Sequence, residues 1–262
     1  MVFVPFSPLK SDFNNAALAQ IAGVEKTAEF FTTEETGRLP DPVKKYFETC
    51  GYIGTPKMAY MKGVYENVDF LLAKDKPYTK IDYTEYFFVK EPAHIAFIDT
   101  KVKGITFQGL DSYINGTGRM KGVVAKTFTL FNQTGFEMDA SGLVTVLSAC
   151  LIVPSIALQD YVLWESIDGT RARATMSYYG ISVSGTFTFT ENGEMVSFTT
   201  NDRWETQADG AAIQTPWSII CEDYAEKAGI RQPTHIKVAW HYPNGEDSVY
   251  FESRNAIIEF GF

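Results

Sequence analysis

A chain of 262 residues, 45% apolar and 15% aromatic with 20 Phe and 14 Tyr, can bury a sizeable core as one large domain or two modest ones, which excludes a disordered chain. The formal charge of −9 and pI of about 4.9 argue against nucleic acid and against adhesion to anionic lipid by charge alone. No run approaches the roughly 18 apolar residues of a membrane-spanning helix.

The start, MVFVPFSPL, has no charged leader and reads as irregular around Pro5 and Pro8. Two readings of VFVPF stay open, an irregular start or the tail of a membrane anchor that lies outside this chain. Residues 13–31 are helix-permissive, with Leu18, Ile21 and Ala22 at helical spacing. Thr32 and Glu35 form a capping-box pattern. Asp41, Pro42 and Gly51 then bracket a helix over 42–49, with Asp41 as cap and Gly51 as stop.

Beyond Gly54 the period changes to two. Residues 57–72, 82–89, 94–102, 107–113 and 118–129 read as strands separated by Gly and Pro signals, a spacing that suggests a sandwich, a barrel or a wide curved sheet. Residues 141–151 interrupt the series. They are apolar almost all round up to Pro154, which marks a buried helix, with a further turn over 155–158. We expect this plug to fill one side of the sheet.

A meander over 161–204 follows. Asn192-Gly193 signals a two-residue type I′ hairpin, because both turn positions need φ > 0. In that register Phe189 faces Val196 and Phe187 faces Phe198, while Thr188 meets Ser197 and Thr186 meets Thr199. One face is apolar and the other is a hydroxyl ladder. A turn over 209–212, a strand-like stretch over 213–224, a short helix near 223–228 and strands over 234–242 and 249–260 complete the chain.

Chemistry-bearing patterns are sparse. There is no HxxxH or CxxC spacing for a metal, and the expectation is none; no cofactor motif is present either. Gly116-Thr117-Gly118 sits between strands, where a phosphate cradle needs a strand leading into a helix. No GxSxG elbow occurs. His235 and His241 lie on one probable strand, where a base would fit. Glu165 and Asp168, beside Trp164, are the carboxylate candidates for a glycan or lipid hydrolase. Cys50, Cys150 and Cys221 read as buried thiols, with one disulfide plus one free thiol as the alternative.

Several motifs in order resemble an uncharacterised bacterial family, a domain of unknown function. They are Leu39-Pro40-Asp41-Pro42-Val43-Lys44-Lys45-Tyr46, Pro154-Ser155-Ile156-Ala157-Leu158, Trp164-Glu165-Ser166-Ile167-Asp168 with Ala172-Arg173-Ala174-Thr175, Gly193-Glu194 leading to Arg203, Thr215-Pro216-Trp217, and Trp240. The segment 142–150 departs from that family's pattern, which favours Arg, Tyr and Glu there. The resemblance implies a fold similar to the bacterial lipoprotein-carrier half-barrel, a location outside the cytoplasm and an N-terminal membrane anchor.

The expectation is therefore an α+β, mainly antiparallel protein. A strongly curved half-barrel sheet over residues 38–262 wraps a central apolar helix at about 141–158, behind an N-terminal extension over 1–37. The leading function is non-enzymatic binding of a hydrophobic ligand, a lipid or acyl chain. Leu147, Leu151, Trp164, Phe187, Phe189, Val196 and Phe198 are the candidate wall, since pockets for such ligands are mostly apolar. An envelope hydrolase and a structural or partner-binding module remain the alternatives.

Overall fold

The computed structural model describes residues 6–25, 28–74, 76–207 and 210–262; the VFVPF stretch therefore lies outside the described residues. Three helices come first. α1 (Pro8–Ala22) begins with proline at its first position, where the missing N–H is harmless, and so starts before residue 13 and ends before 31. α2 (Thr33–Thr36) is capped by Thr32, whose hydroxyl accepts from the Glu35 N–H. α3 (Asp41–Thr49) buries Val43, Tyr46 and Phe47 on one side.

Six strands follow: β1 (Tyr60–Phe70), β2 (Thr79–Phe88), β3 (Ala93–Val102), β4 (Ile105–Ile114), β5 (Thr117–Val124) and β6 (Phe128–Thr134). The single strand expected over 118–129 is in fact two. Ala125 and Lys126 take φ of 50° and 66° and turn the chain back. Then come α4 (Phe136–Ser148) and α5 (Pro154–Ala157). The remaining strands are β7 (Val162–Asp168), β8 (Arg171–Tyr178), β9 (Ile181–Phe189), β10 (Met195–Thr200), β11 (Trp204–Thr206), β12 (Ala212–Gln214), β13 (Trp217–Lys227), β14 (Ile230–His241), β15 (Asp247–Ser253) and β16 (Ala256–Gly261).

Fourteen strands form one antiparallel sheet in the order β6-β5-β4-β3-β2-β1-β15-β14-β13-β10-β9-β8-β7. β16 also pairs with β1, along Tyr60–Tyr65, while β15 holds the same edge of β1 only at Asp69 and Phe70. The last strand expected over 249–260 is thus broken at Arg254-Asn255. β11 and β12 pair as a separate small flap. The helix expected near 223–228 is instead strand: β13 runs on to Lys227, and Ala228-Gly229 (φ 53° and 81°) make a two-residue turn into β14.

The sheet is open, with β6 and β7 as its edges, and is not strongly curled, unlike the half-barrel expected. The physical reason is that α4 bridges the gap. It packs on β3–β6 from one half and on β8 and β9 from the other, so helix side chains join the two halves into one core without further curl. α4 starts at Phe136, earlier than 141, and within its first turn the Asp139 carboxylate accepts the Gly118 N–H of β5 at 2.6 Å. α1 covers the opposite face, where Leu9 and Phe13 pack with Phe88, Ile95, Phe97 and Leu110.

The β9–β10 hairpin corrects the expected register near its turn. The loop is three residues long: Gly193 N–H donates to Thr190 O, Thr190 N–H donates to Glu194 O, and only Gly193 has positive φ, at 96°. Phe189 therefore pairs with Met195. A bulge at Val196 then restores the expected pairs of Ser197 with Thr188, Phe198 with Phe187 and Thr199 with Thr186. Val196 is expelled to solvent and Met195 takes its place in the core.

All three cysteines are free and buried. Burial pushes the Cys50 and Cys221 thiols up to about 12 from an ordinary 9.0. The folded state holds them neutral while the unfolded chain releases their protons near that ordinary value. Their contribution is thus present below it and lost as pH rises toward the folded value. One unit above the ordinary value, each thiol is expected to remove about 1.4 kcal/mol of stability. Urea midpoints measured at about pH 8 and pH 10 check this; equal midpoints would refute it.

Candidate functional site

The candidate wall lies in the core. Leu147, Leu151, Phe187 and Phe198 are fully buried and Phe189 nearly so, packed with Leu143, Val146 and Ile156. Trp164 is partly buried; its indole N–H donates to Ala157 O at 2.9 Å and its ring lies 5.3 Å from Phe187. The space between α4 and β8–β10 is therefore filled with side chains, and Val196 is on the far side. The hairpin residues Phe187, Phe189 and Phe198 share one buried cluster with the side chains of α4.

The same face of the sheet continues over β1, β2, β14 and β15. There Phe70, Tyr83, Trp240 and Tyr250 are only partly buried and form a connected floor with the buried Tyr65 and Phe251. Phe70 meets Tyr250 at 6.0 Å and Phe251 at 6.4 Å; Tyr83 meets Phe251 at 5.3 Å; Trp240 stacks on Tyr250 at 5.9 Å. Long-range antiparallel pairing assembles this strip, since β15 joins β1 to β14. Strand alternation turns Tyr83 and Trp240 to the α4 side, and bulges in β1 and β15 let Phe70 join Tyr65 and the consecutive Tyr250 and Phe251 share that face.

Polar groups sit among the rings. The buried Glu85 carboxylate accepts from Tyr65 OH at 2.7 Å and Tyr83 OH at 3.2 Å, with His94 Nε2 at 3.2 Å. Burial, then the Glu85 charge, pushes the Tyr65 hydroxyl well above its usual range; burial, Glu85 and Asp111 do the same for Tyr83. Trp217 donates its indole N–H to Tyr250 OH at 3.0 Å. Arg203, between β10 and β11, lies over the Trp217 ring at 4.4 Å and near Trp240 at 6.0 Å. It donates from Nη1 to Ser141 O and Thr145 Oγ1 of α4, while Ser141 Oγ takes the Trp204 N–H. These bonds latch the flap that starts at β11 to α4.

The hydrolase candidates do not converge. Glu165 is exposed, and Asp168 is exposed at the β7–β8 turn, where it accepts from Arg171 and the Thr170 N–H. Those bonds, Arg171 first, lower the Asp168 carboxyl to about 2. It stays ionised at neutral pH and has no proton to donate as a general acid.

A more suggestive relay was missed in the sequence. Ser218 Oγ lies 2.8 Å from His241 Nε2, and His241 Nδ1 lies 2.6 Å from Asp247 Oδ1. The connectivity is that of nucleophile, base and orienting acid. However, Ser218 is only 2% exposed and sits near the start of β13, paired with Thr199 of β10 on one side and Ala239 of β14 on the other, where its backbone belongs to the ladder. The relay ties three neighbouring strands together at the edge of a polar recess of about 240 Å³ lined by Arg173, Ser184, Thr199, Asp202 and His241. The other histidine, His235, is buried between Glu222 and Glu252 at 2.8 and 2.9 Å. Among the described residues, no group of three or more His, Cys, Asp and Glu is placed to hold a metal.

Residues 29–253 match the profile of a family of unknown function, DUF6544. The chain belongs to the DUF6544 family. Among curated proteins none matches. Three solved structures resemble its fold. A LolA superfamily protein from Nitrosomonas europaea shares 13% identity over 84% of this chain and 94% of its own, with a TM-score of 0.42. A putative outer membrane lipoprotein-sorting protein domain from Vibrio parahaemolyticus shares 10% over 78% and 86%, TM-score 0.35. A DUF1329 family protein from Desulfovibrio piger shares 10% over 84% and 93%, TM-score 0.35. Among the described residues, no helix of this DUF6544 chain is long and apolar enough to cross a membrane.

Proposed function

We propose that this DUF6544 protein binds a hydrophobic ligand, a lipid or acyl chain, and holds it by burial without making or breaking bonds. The observation that supports this reading is the strip of partly buried rings, Phe70, Tyr83, Trp240 and Tyr250, beside α4. Four large rings left part-exposed on the core side of a sheet are a surface that gains from being covered. Apolar burial contributes about 25 cal/mol per Å² before ordering costs. The strip packs against the same buried cluster that holds Leu147, Leu151, Phe187 and Phe198. Service outside the cytoplasm belongs to the same proposal.

Two indoles report on the strip directly. A single-chain amphiphile is expected to change tryptophan fluorescence saturably, and Trp240→Ala is expected to weaken its binding about tenfold or more, a loss in line with an aromatic anchor. Native mass spectrometry of the purified protein provides the second readout. Neither a bound amphiphile nor any saturable fluorescence change would sink the reading.

A further inference from the structure

Arg203 is an unusual cation for an acidic protein. The chain carries 32 Asp and Glu against 23 Lys and Arg, yet no carboxylate among the described residues pairs with this guanidinium. Glu205, two residues on, is engaged elsewhere: its two oxygens accept from Tyr242 OH at 2.7 Å and Thr215 Oγ1 at 3.3 Å. Among the described residues, the hydrogen bonds of Arg203 all leave from Nη1, to Ser141 O at 3.0 Å and Thr145 Oγ1 at 2.7 Å, and its buried Nε finds no partner. A buried donor left unmade is costly and calls for an explanation.

The free edge has a shape. With Nη1 committed to α4, the side of the guanidinium formed by Nε and Nη2 carries no bond to a described residue. Two parallel N–H groups on one planar edge match the two oxygens of a carboxylate or phosphate. The Trp217 ring at 4.4 Å fixes the plane of the group, and the latch to α4 fixes its direction. Trp240, the near end of the aromatic strip, lies 6.0 Å from the same guanidinium, and the Tyr250 hydroxyl accepts from the indole of the Trp217 it covers, at 3.0 Å.

We propose that Arg203 reads the head group: the ligand is an anionic single-chain amphiphile whose carboxylate or phosphate takes the Nε–Nη2 edge while its chain lies along Trp240, Tyr250, Phe70 and Tyr83. This rests on the ligand-binding reading above and adds the charge and place of the head.

The test compares three probes of equal chain length, a fatty acid, a lysophosphatidic acid and the fatty alcohol, on the full chain. Tryptophan fluorescence and native mass spectrometry read the binding. The wild type is expected to hold at least one anionic probe about tenfold tighter than the alcohol, the gain of one charge-assisted pair. The stronger of the two anions identifies carboxylate or phosphate as the head. Arg203→Gln is expected to abolish the anion-over-alcohol ratio, and Arg203→Lys, which keeps charge but not the two-pronged edge, to retain part of it. Equal binding of anions and alcohol by the wild type overturns the proposal without touching the ligand-binding reading, and needs no variant to fold. A ratio unchanged in a folded Arg203→Gln protein also overturns it. Failure of all three probes removes both readings.

Discussion

Gly118→Ala is expected to destabilise the protein by about 3 kcal/mol or more, the upper range for forcing an extra methyl group into a packed core. A Cβ at this position would stand 2.1 Å from Met138 O, 2.3 Å from its carbonyl carbon and 2.7 Å from Asp139 N. All three are backbone atoms of α4, so no side chain can swing aside. The helix cannot retreat either. Asp139 is bonded to the Gly118 N–H at 2.6 Å, and Leu143, Val144 and Leu147 behind it are fully buried. In a chain of this size the loss corresponds to a melting temperature lower by roughly 6–12 °C. Gly169→Ala is the control, because its Cβ would meet nothing within 4 Å. Equal melting of Gly118→Ala and wild type would show that α4 does not seat on β5 as described.

Phe198→Ala is expected to cost about 3–5 kcal/mol, the range for deleting a buried ring. The ring is fully buried, lies 4.7 Å from Phe187 and 6.3 Å from Trp217, and rests on the backbone of Gly185, where a Cβ would be 2.2 Å from it. Removing it leaves a void that α4 cannot fill. Val196→Ala makes the informative pair. The bulge leaves Val196 37% exposed, so its truncation is expected to cost under about 0.5 kcal/mol. Urea unfolding of both variants checks the register. Similar losses at the two positions would mean that Val196 shares the core and that the bulge is absent.

Much of the fold was legible because it is local. Strand periodicity, the proline start at Pro42 and the apolar run over 141–151 each announce an element through neighbouring residues alone, whereas Pro8 read as irregular and Pro154 as a stop although each opens a helix. Turns were less legible. Lys103-Gly104, Asn115-Gly116, Tyr179-Gly180 and Ala228-Gly229 all have two positive φ angles and join paired strands. Only one of the four has asparagine. The strongest turn signal, Asn192-Gly193, took another form because α3 holds that loop. Thr49 Oγ1 donates to Asn192 O at 2.7 Å, Lys45 Nζ donates to Glu191 O, and Gly193 lies against both side chains. A contact from about 145 residues earlier in the chain outweighs a dipeptide preference of a kcal/mol or less.

The candidate site was barely legible. Phe187, Phe189 and Phe198 of the hairpin and Leu147 of the helix were identifiable as inward-facing, since period two and a bounded apolar run say so, but the bulge that expels Val196 left no such signal. Sequence could not tell whether they line a void or fill it, because both arrangements require the same side chains. The strip of Phe70, Tyr83, Trp240 and Tyr250 depends on β15 pairing with both β1 and β14. Arg203 stood in a recognisable motif, but its lack of a counter-ion is a property of three-dimensional surroundings. What the sequence determined by itself is an acidic, ring-rich antiparallel sheet with one apolar helix, fixed by composition and local period. What only the tertiary structure decided is which apolar surface is covered and which is left open. That depends on where α4 lands among fourteen strands, and long-range packing, which leaves no periodic trace, sets it.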